Sequence, residues 1–113
     1  IDYINAHGTA TPNNDLSESK AIITVFGNTI PAFSSTKAFT GHTLAAAGGL
    51  EAVFSVLAIQ KGYLFANLNH KNVIEETQLQ PVLKTTKVER VRNVLSNSFG
   101  FGGNNSTIII GEL

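Results

Sequence analysis

The sequence predicts a layered α/β domain whose mixed sheet ends in an antiparallel hairpin. Short β-rich runs alternate with longer helical patterns along the chain. Three glycine-bearing loops each directly follow a predicted strand, and two β-rich segments close the chain in succession.

Taken in order, Ile1 to Asn5 reads as a strand, with β-formers at Ile1, Tyr3 and Ile4. It runs into the loop His7-Gly8-Thr9-Ala10-Thr11-Pro12. Asp15 then resembles an N-cap, with Glu18 three residues on completing a capping box. Ile22, Ile23 and Phe26 continue an amphipathic helix that stops at Gly27-Asn28. Pro31 to Lys37 holds a second strand, and Ala38 to Thr43 a loop. From Leu44 comes the clearest helix: Leu50, Val53, Phe54, Leu57 and Ala58 form one apolar stripe, and Gly62 ends it. Its opening, Leu44 to Gly49, is almost all small residues, which predicts a close approach by another backbone. Residues 63–90 are expected to be loop, with Asn67, Asn69 and Asn72, a short acidic turn and Pro81. Val91 to Asn97 and Thr107 to Ile110 are the closing strands, joined through Ser98 to Ser106. The unalternating Ile108-Ile109-Ile110 predicts a strand buried on both faces.

At 113 residues the chain fits one domain. Only 14% of residues are charged, against roughly 25% in typical soluble domains, and the mean hydropathy is slightly positive. Such a composition fits an ordinary apolar α/β domain or, more sharply, one whose surface is normally covered by protein. Net charge is zero, which favours neither nucleic acid nor an anionic membrane. No uninterrupted run of 18 apolar residues occurs and no charged-then-apolar leader opens the chain, so a soluble, cytoplasmic protein is expected. Cysteine is absent, which removes disulfides, thiolate metal sites and thiol catalysis from within these residues. Methionine is absent too, so the chain is expected to be processed or a piece of a longer one.

The chemistry-bearing residues concentrate in three loops: INAHGTAT at 4–11, SSTKAFTGH at 34–42 and NSFGFGG at 97–103. Loops after strand C-termini are where α/β folds build sites. His7 and His42 sit in two of them, each beside glycine. A neutral imidazole is both a base and an N–H donor, able to polarise a carbonyl or stabilise an enolate. His42 precedes the small-residue helix, whose N-terminal dipole disfavours the protonated ring. Lys37 is open between orienting a histidine, binding a carboxylate and standing in solvent. Glu51 is either its partner or a solvated helix residue. The spacing of Gly100, Gly102 and Gly103 is GxGG rather than GxGxxG and lies between strands, which argues against dinucleotide binding. No metal-ligand spacing is present, and His70, beside Lys71, reads as a surface residue.

Together, HGTAT at 7–11, SSTKAFTGHTLAAAGG at 34–49 and LSNSFGFGGNN at 95–105 resemble the three C-terminal signatures of the β-ketoacyl synthases, closest to the synthase I/II type. The resemblance spans essentially the whole chain and implies a thiolase-like fold, here the C-terminal half-fold only. It implies a decarboxylative Claisen condensation in fatty-acid or polyketide synthesis. His7 and His42 match the two active-site histidines and Lys37 the lysine that orders them, with Glu51 as its partner. Thr9 and Thr11 match threonines that contact the phosphopantetheine arm. Phe101 matches the gating phenylalanine, in a substrate-facing loop with Phe99, Gly100, Gly102 and Gly103. Ala10 stands where serine is common and Asn104 where threonine is common; neither removes a catalytic group.

The family's nucleophilic cysteine is expected upstream, on the N-terminal half. The resemblance therefore implies an acyltransferase in the full-length parent and an inactive isolated chain. The implied partners are an acyl carrier protein, which brings phosphopantetheine so that no resident cofactor is needed, the N-terminal half of the same parent chain, and a second copy in a homodimer. A chain-length-factor-like, non-catalytic partner subunit is the alternative. A thiolase relative that does not decarboxylate is a weaker one, because thiolases use a cysteine in their C-terminal loop. Acyl-chain length and pathway are not legible in these residues.

Overall fold

Every residue from Tyr3 to Asn5 (β1) is buried, because this short strand lies inside the sheet with neighbours on both sides. The computed structural model describes all 113 residues. β1 pairs in parallel with Ala32–Ser34 (β2) on one side and with Asn93–Phe99 (β5) on the other. β5 pairs antiparallel with Asn105–Gly111 (β6), from Asn93 opposite Gly111 to Phe99 opposite Asn105. The sheet order is thus β2-β1-β5-β6, the mixed sheet with a terminal hairpin that the sequence predicts.

Successive strand side chains point to opposite faces, and β1 shows this directly. Tyr3 joins Ala58, Val91 and Val94 in one core cluster, while Ile4 joins Ala6 and Ile22 in another. The helix Ala47–Lys61 (α3) covers the first face and the helix Pro12–Phe26 (α1) the second. The result is three layers, helix–sheet–helix.

α1 begins three residues earlier than the expected cap at Asp15. Pro12 occupies its first turn, where the missing N–H costs nothing, and Thr11 is the N-cap without a side-chain bond. Glu18 closes no capping box; it is buried and serves the His7 loop instead. Gly27 ends the helix with its N–H on Ile23, as its position predicts.

The loop expected at 38–43 contains a single helical turn, Lys37–Thr40 (α2). A 3₁₀ turn at Leu44–Ala46 then leads into α3, which Gly62 closes in the left-handed conformation.

The expected apolar stripe of α3 is buried only in part, at Ala58. The sheet side carries Ala47, Glu51, Ser55 and Ala58, while Leu50, Val53 and Leu57 are exposed. Small residues on the inner face let the helix approach β5 closely: a Cβ on Gly48 would stand 3.2 Å from Ser98 Oγ. Gly49 has nothing within 4 Å, so the close approach expected at the small-residue turn is made at Gly48, against Ser98 of β5.

Ile108 and Ile109 are likewise exposed, because β6 is the edge strand of the sheet and α3 reaches it only in part. The region 63–90 also differs from a plain loop. Tyr63–Leu64 (β3) and Thr86–Lys87 (β4) form a small antiparallel pair beyond α3. The segment between them folds back along β2, with Val82 N–H donating to Phe33 C=O at 2.9 Å.

Candidate functional site

The three loops meet beyond the C-terminal ends of β1, β2 and β5. Parallel pairing in register, Asn5 opposite both Ser34 and Ser96, brings the residues that follow each strand side by side. His7 leaves β1, Lys37 leaves β2 on the first residue of α2, and His42 follows α2. The His7 and His42 rings lie edge to face with centroids 5.5 Å apart. Phe99, the last residue of β5, packs against His7 with centroids 5.6 Å apart.

Hydrogen bonds assign the tautomer of each histidine. Lys37 Nζ stands 3.3 Å from His7 Nδ1, and an ammonium can only donate, so Nδ1 accepts. Leu44 N–H donates to His42 Nδ1 at 3.2 Å. Each ring, when neutral, therefore carries its proton on Nε2. Burial holds the His7 pKa down at about 4, with the Lys37 charge and then His42 acting in the same direction. His7 is a neutral Nε2–H donor at physiological pH.

Lys37 forms a buried ion pair with Glu51 Oε1 across the gap between α2 and α3. Glu51 is 2% exposed, so the solvated alternative for this residue does not hold. Burial pushes its carboxyl pKa up while Lys37 pulls against that shift. A buried charge needs such a partner, and removing one member alone strands the other. The backbone of Glu51 is held as well, its C=O accepting Asn5 Nδ2 at 3.1 Å.

Glu18 is the functional residue that sequence reasoning placed wrongly. Its carboxylate accepts the His7 and Gly8 N–H groups, each at 2.9 Å, and Asn97 Nδ2 at 3.0 Å. It therefore fixes the His7 backbone and joins it to β5. The signal for it was ambiguous: S/T/D-x-x-E ahead of an apolar run reads as a capping box whether or not the glutamate turns back to the helix. Gly8 is required where it stands. Its φ is +42°, and a Cβ there would lie 2.4 Å from Ser35 Cβ.

The remaining predicted residues are placed less tightly. Thr9 and Thr11 share a hydroxyl hydrogen bond of 2.9 Å at the start of α1. Thr9, Lys37, His42 and residues 67–72 are among those that line an open cleft of about 570 Å³. His70, expected on the surface, is half-buried there. Phe101 is fully exposed at the tip of the β5–β6 turn and is not brought to the histidines. Gly102 and Gly103 hold φ near +80° and make that turn possible.

Two adjacent histidines thus stand beside a buried lysine–glutamate pair at the strand ends of an α/β half-fold, an arrangement able to offer N–H donors to a developing oxyanion. Residues 1–71 match the family described as "Beta-ketoacyl synthase, C-terminal domain", and the chain belongs to that family. It is 43% identical over all 113 residues to 3-oxoacyl-[acyl-carrier-protein] synthase 1 of Escherichia coli (strain K12), covering 28% of that protein. It is 48% identical over 119 aligned residues to the mitochondrial 3-oxoacyl-[acyl-carrier-protein] synthase of Arabidopsis thaliana, covering 26% of it. The chain thus spans about a quarter of the length of these curated relatives.

Among solved structures, the ishigamide ketosynthase/chain length factor superposes with a TM-score of 0.94 at 37% identity, over the whole chain and 28% of that protein. The AntDE:AntF complex, a type II acyl carrier protein with its ketosynthase, superposes at 0.93 with 33% identity, over the whole chain and 28% of its counterpart. The fold is the thiolase-like ketosynthase fold, represented here by its C-terminal part.

Proposed function

We propose that this chain is the C-terminal portion of a β-ketoacyl-[acyl-carrier-protein] synthase whose parent carries out decarboxylative Claisen condensation. The observation that carries the reading is the pair of adjacent imidazoles, each with its proton on Nε2. As the malonyl carboxylate leaves as carbon dioxide, the electron pair of the broken C–C bond enters the thioester as an enolate. The enolate oxygen gathers charge, and the two Nε2–H groups meet it. The enolate carbon then attacks the acyl thioester on a cysteine outside these residues, and the thiolate departs.

Lys37 keeps a positive charge beside His7 and so discourages a second proton on the ring, while Glu51 balances that charge. The Thr9 and Thr11 hydroxyls serve the phosphopantetheine arm, which arrives on the carrier protein, so no resident cofactor takes part. The turn with Phe101, Gly100, Gly102 and Gly103 acts as a gate.

The partners are the acyl carrier protein, the rest of the parent chain and a second copy. In support, only 22 of 113 residues are buried, and the outer faces of α3 and β6 are apolar. The stretch Leu44–Lys61 is long and apolar enough by composition to cross a membrane. Glu51 on its inner face, ion-paired in the site, favours a helix packed against protein over one that crosses a membrane.

The test is iodoacetamide labelling and condensation assay of the full-length parent alongside the 113-residue chain. Condensing activity lost on labelling, with none in the isolated chain, is the expected result. A parent with no reactive thiol and no condensation would replace the reading with a non-catalytic chain-length-factor-like subunit, a component of several of the similar structures.

A further inference from the structure

We infer that Asn67 is a positioning residue for the histidine–lysine site, acting through Ser35; the inference rests on the condensing reading above. Asn67 lies in the segment that folds back along the β2 edge. Its N–H donates to Val82 C=O at 2.7 Å, and Val82 N–H donates to Phe33 C=O at 2.9 Å. Its side-chain Oδ1 accepts the Ser35 N–H at 2.8 Å. The asparagine side chain thus bonds the backbone one residue beyond β2, where the strand ends and the site begins.

Ser35 is the joint between the two site loops. Its hydroxyl donates to Gly8 C=O at 2.9 Å, with His7 C=O at 3.4 Å, and accepts Lys37 N–H at 3.3 Å. One buried hydroxyl therefore ties the His7 loop to the residue whose ammonium touches His7 Nδ1. The joint is sterically tight, because Gly8 and Ser35 are already too close for a Cβ on Gly8. Without Asn67 Oδ1, the part-buried Ser35 N–H loses its hydrogen-bond partner. The peptide would turn to find one and carry Oγ away from Gly8 and Lys37. A long 3.3 Å contact between Lys37 Nζ and His7 Nδ1 has little tolerance for that shift. Asn67 also lines the open cleft that His42 lines.

The experiment compares Asn67→Leu with Asn67→Asp in the full-length parent. The leucine removes the acceptor, whereas aspartate keeps one at the same reach. Asn67→Leu should lower kcat about tenfold or more with KM changed by less than about twofold, because a small misplacement of reacting groups affects the chemical step. Asn67→Asp should restore kcat. The ¹⁵N resonance of His7 Nδ1 should shift in the leucine variant and return in the aspartate variant. Unchanged kcat and an unchanged His7 signal in Asn67→Leu would overturn the inference. So would equal losses in both variants, or a lower melting temperature with neither readout altered. A wild-type parent that does not condense would count against the function, and the His7 signal would still decide the role of Asn67.

Discussion

His7 is held by three independent supports: Lys37 at its Nδ1, Glu18 at its backbone N–H and the Phe99 ring at its face. On the proposed condensing function, replacing it with alanine in the full-length parent should lower condensation by about 10²–10³, the usual cost of removing one preorganised oxyanion donor. Transfer of the acyl group to the cysteine should persist, which acyl-enzyme mass spectrometry would check. The depressed pKa also fixes a pH dependence. The unfolded chain takes up a proton on His7 near pH 6.5, while the folded chain refuses it until about pH 4. The His7 share of stability is therefore complete above about pH 6.5 and is lost as pH falls towards 4. Denaturation across that window should show a smaller acid loss in His7→Gln than in the native chain. Glu18 offers a sharper test. Both of its oxygens accept backbone N–H groups, so Glu18→Gln turns an NH₂ group against a donor. A destabilisation of about 1–3 kcal/mol is expected for the unsatisfied donor, read from urea melts.

Among the elements, α1 and α3 do unequal work. α1 buries Ile22 on the sheet and uses Glu18 to pin the His7 loop, so it is both a core helix and a support of the site. α3 turns a small and polar face inward, because Glu51 has to reach Lys37 and the helix has to approach Ser98. A tight junction lies between the turn after β1 and the residue after β2. Gly8→Ala should cost at least about 1–3 kcal/mol, since it forces overpacking against Ser35 and a left-handed backbone on a residue with a Cβ. Gly49→Ala, inside α3 with open space, is the contrasting case and should stabilise the chain by up to about 1 kcal/mol.

For the molecule as a whole, the exposed apolar faces decide behaviour in isolation. Val53, Leu57, Ile108 and Ile109 face outward from α3 and β6. A lysine at Val53 and another at Ile109 should leave the melting temperature of the isolated chain nearly unchanged and reduce its self-association in sedimentation. The same pair should destabilise the full-length parent by several kcal/mol in sum, since each then buries an unpaired charge. Equal effects in both settings would mean that these faces stay open in the parent as well.

The residues by themselves determined the class of fold, the closing hairpin, the C-terminal ends of both long helices and the three loops that hold the site. Those features rest on local chemistry: β-branched runs, helix-stopping glycines at 27 and 62, and histidines beside glycine. Tertiary structure alone decided which face of α3 is buried, that Glu18 serves a loop rather than a cap, and that Asn67 reaches Ser35 across 32 positions of chain. Each of these depends on contacts between residues distant in sequence. A hydrophobic period says that a helix has an apolar side; it does not say whether the partner for that side lies within the same residues.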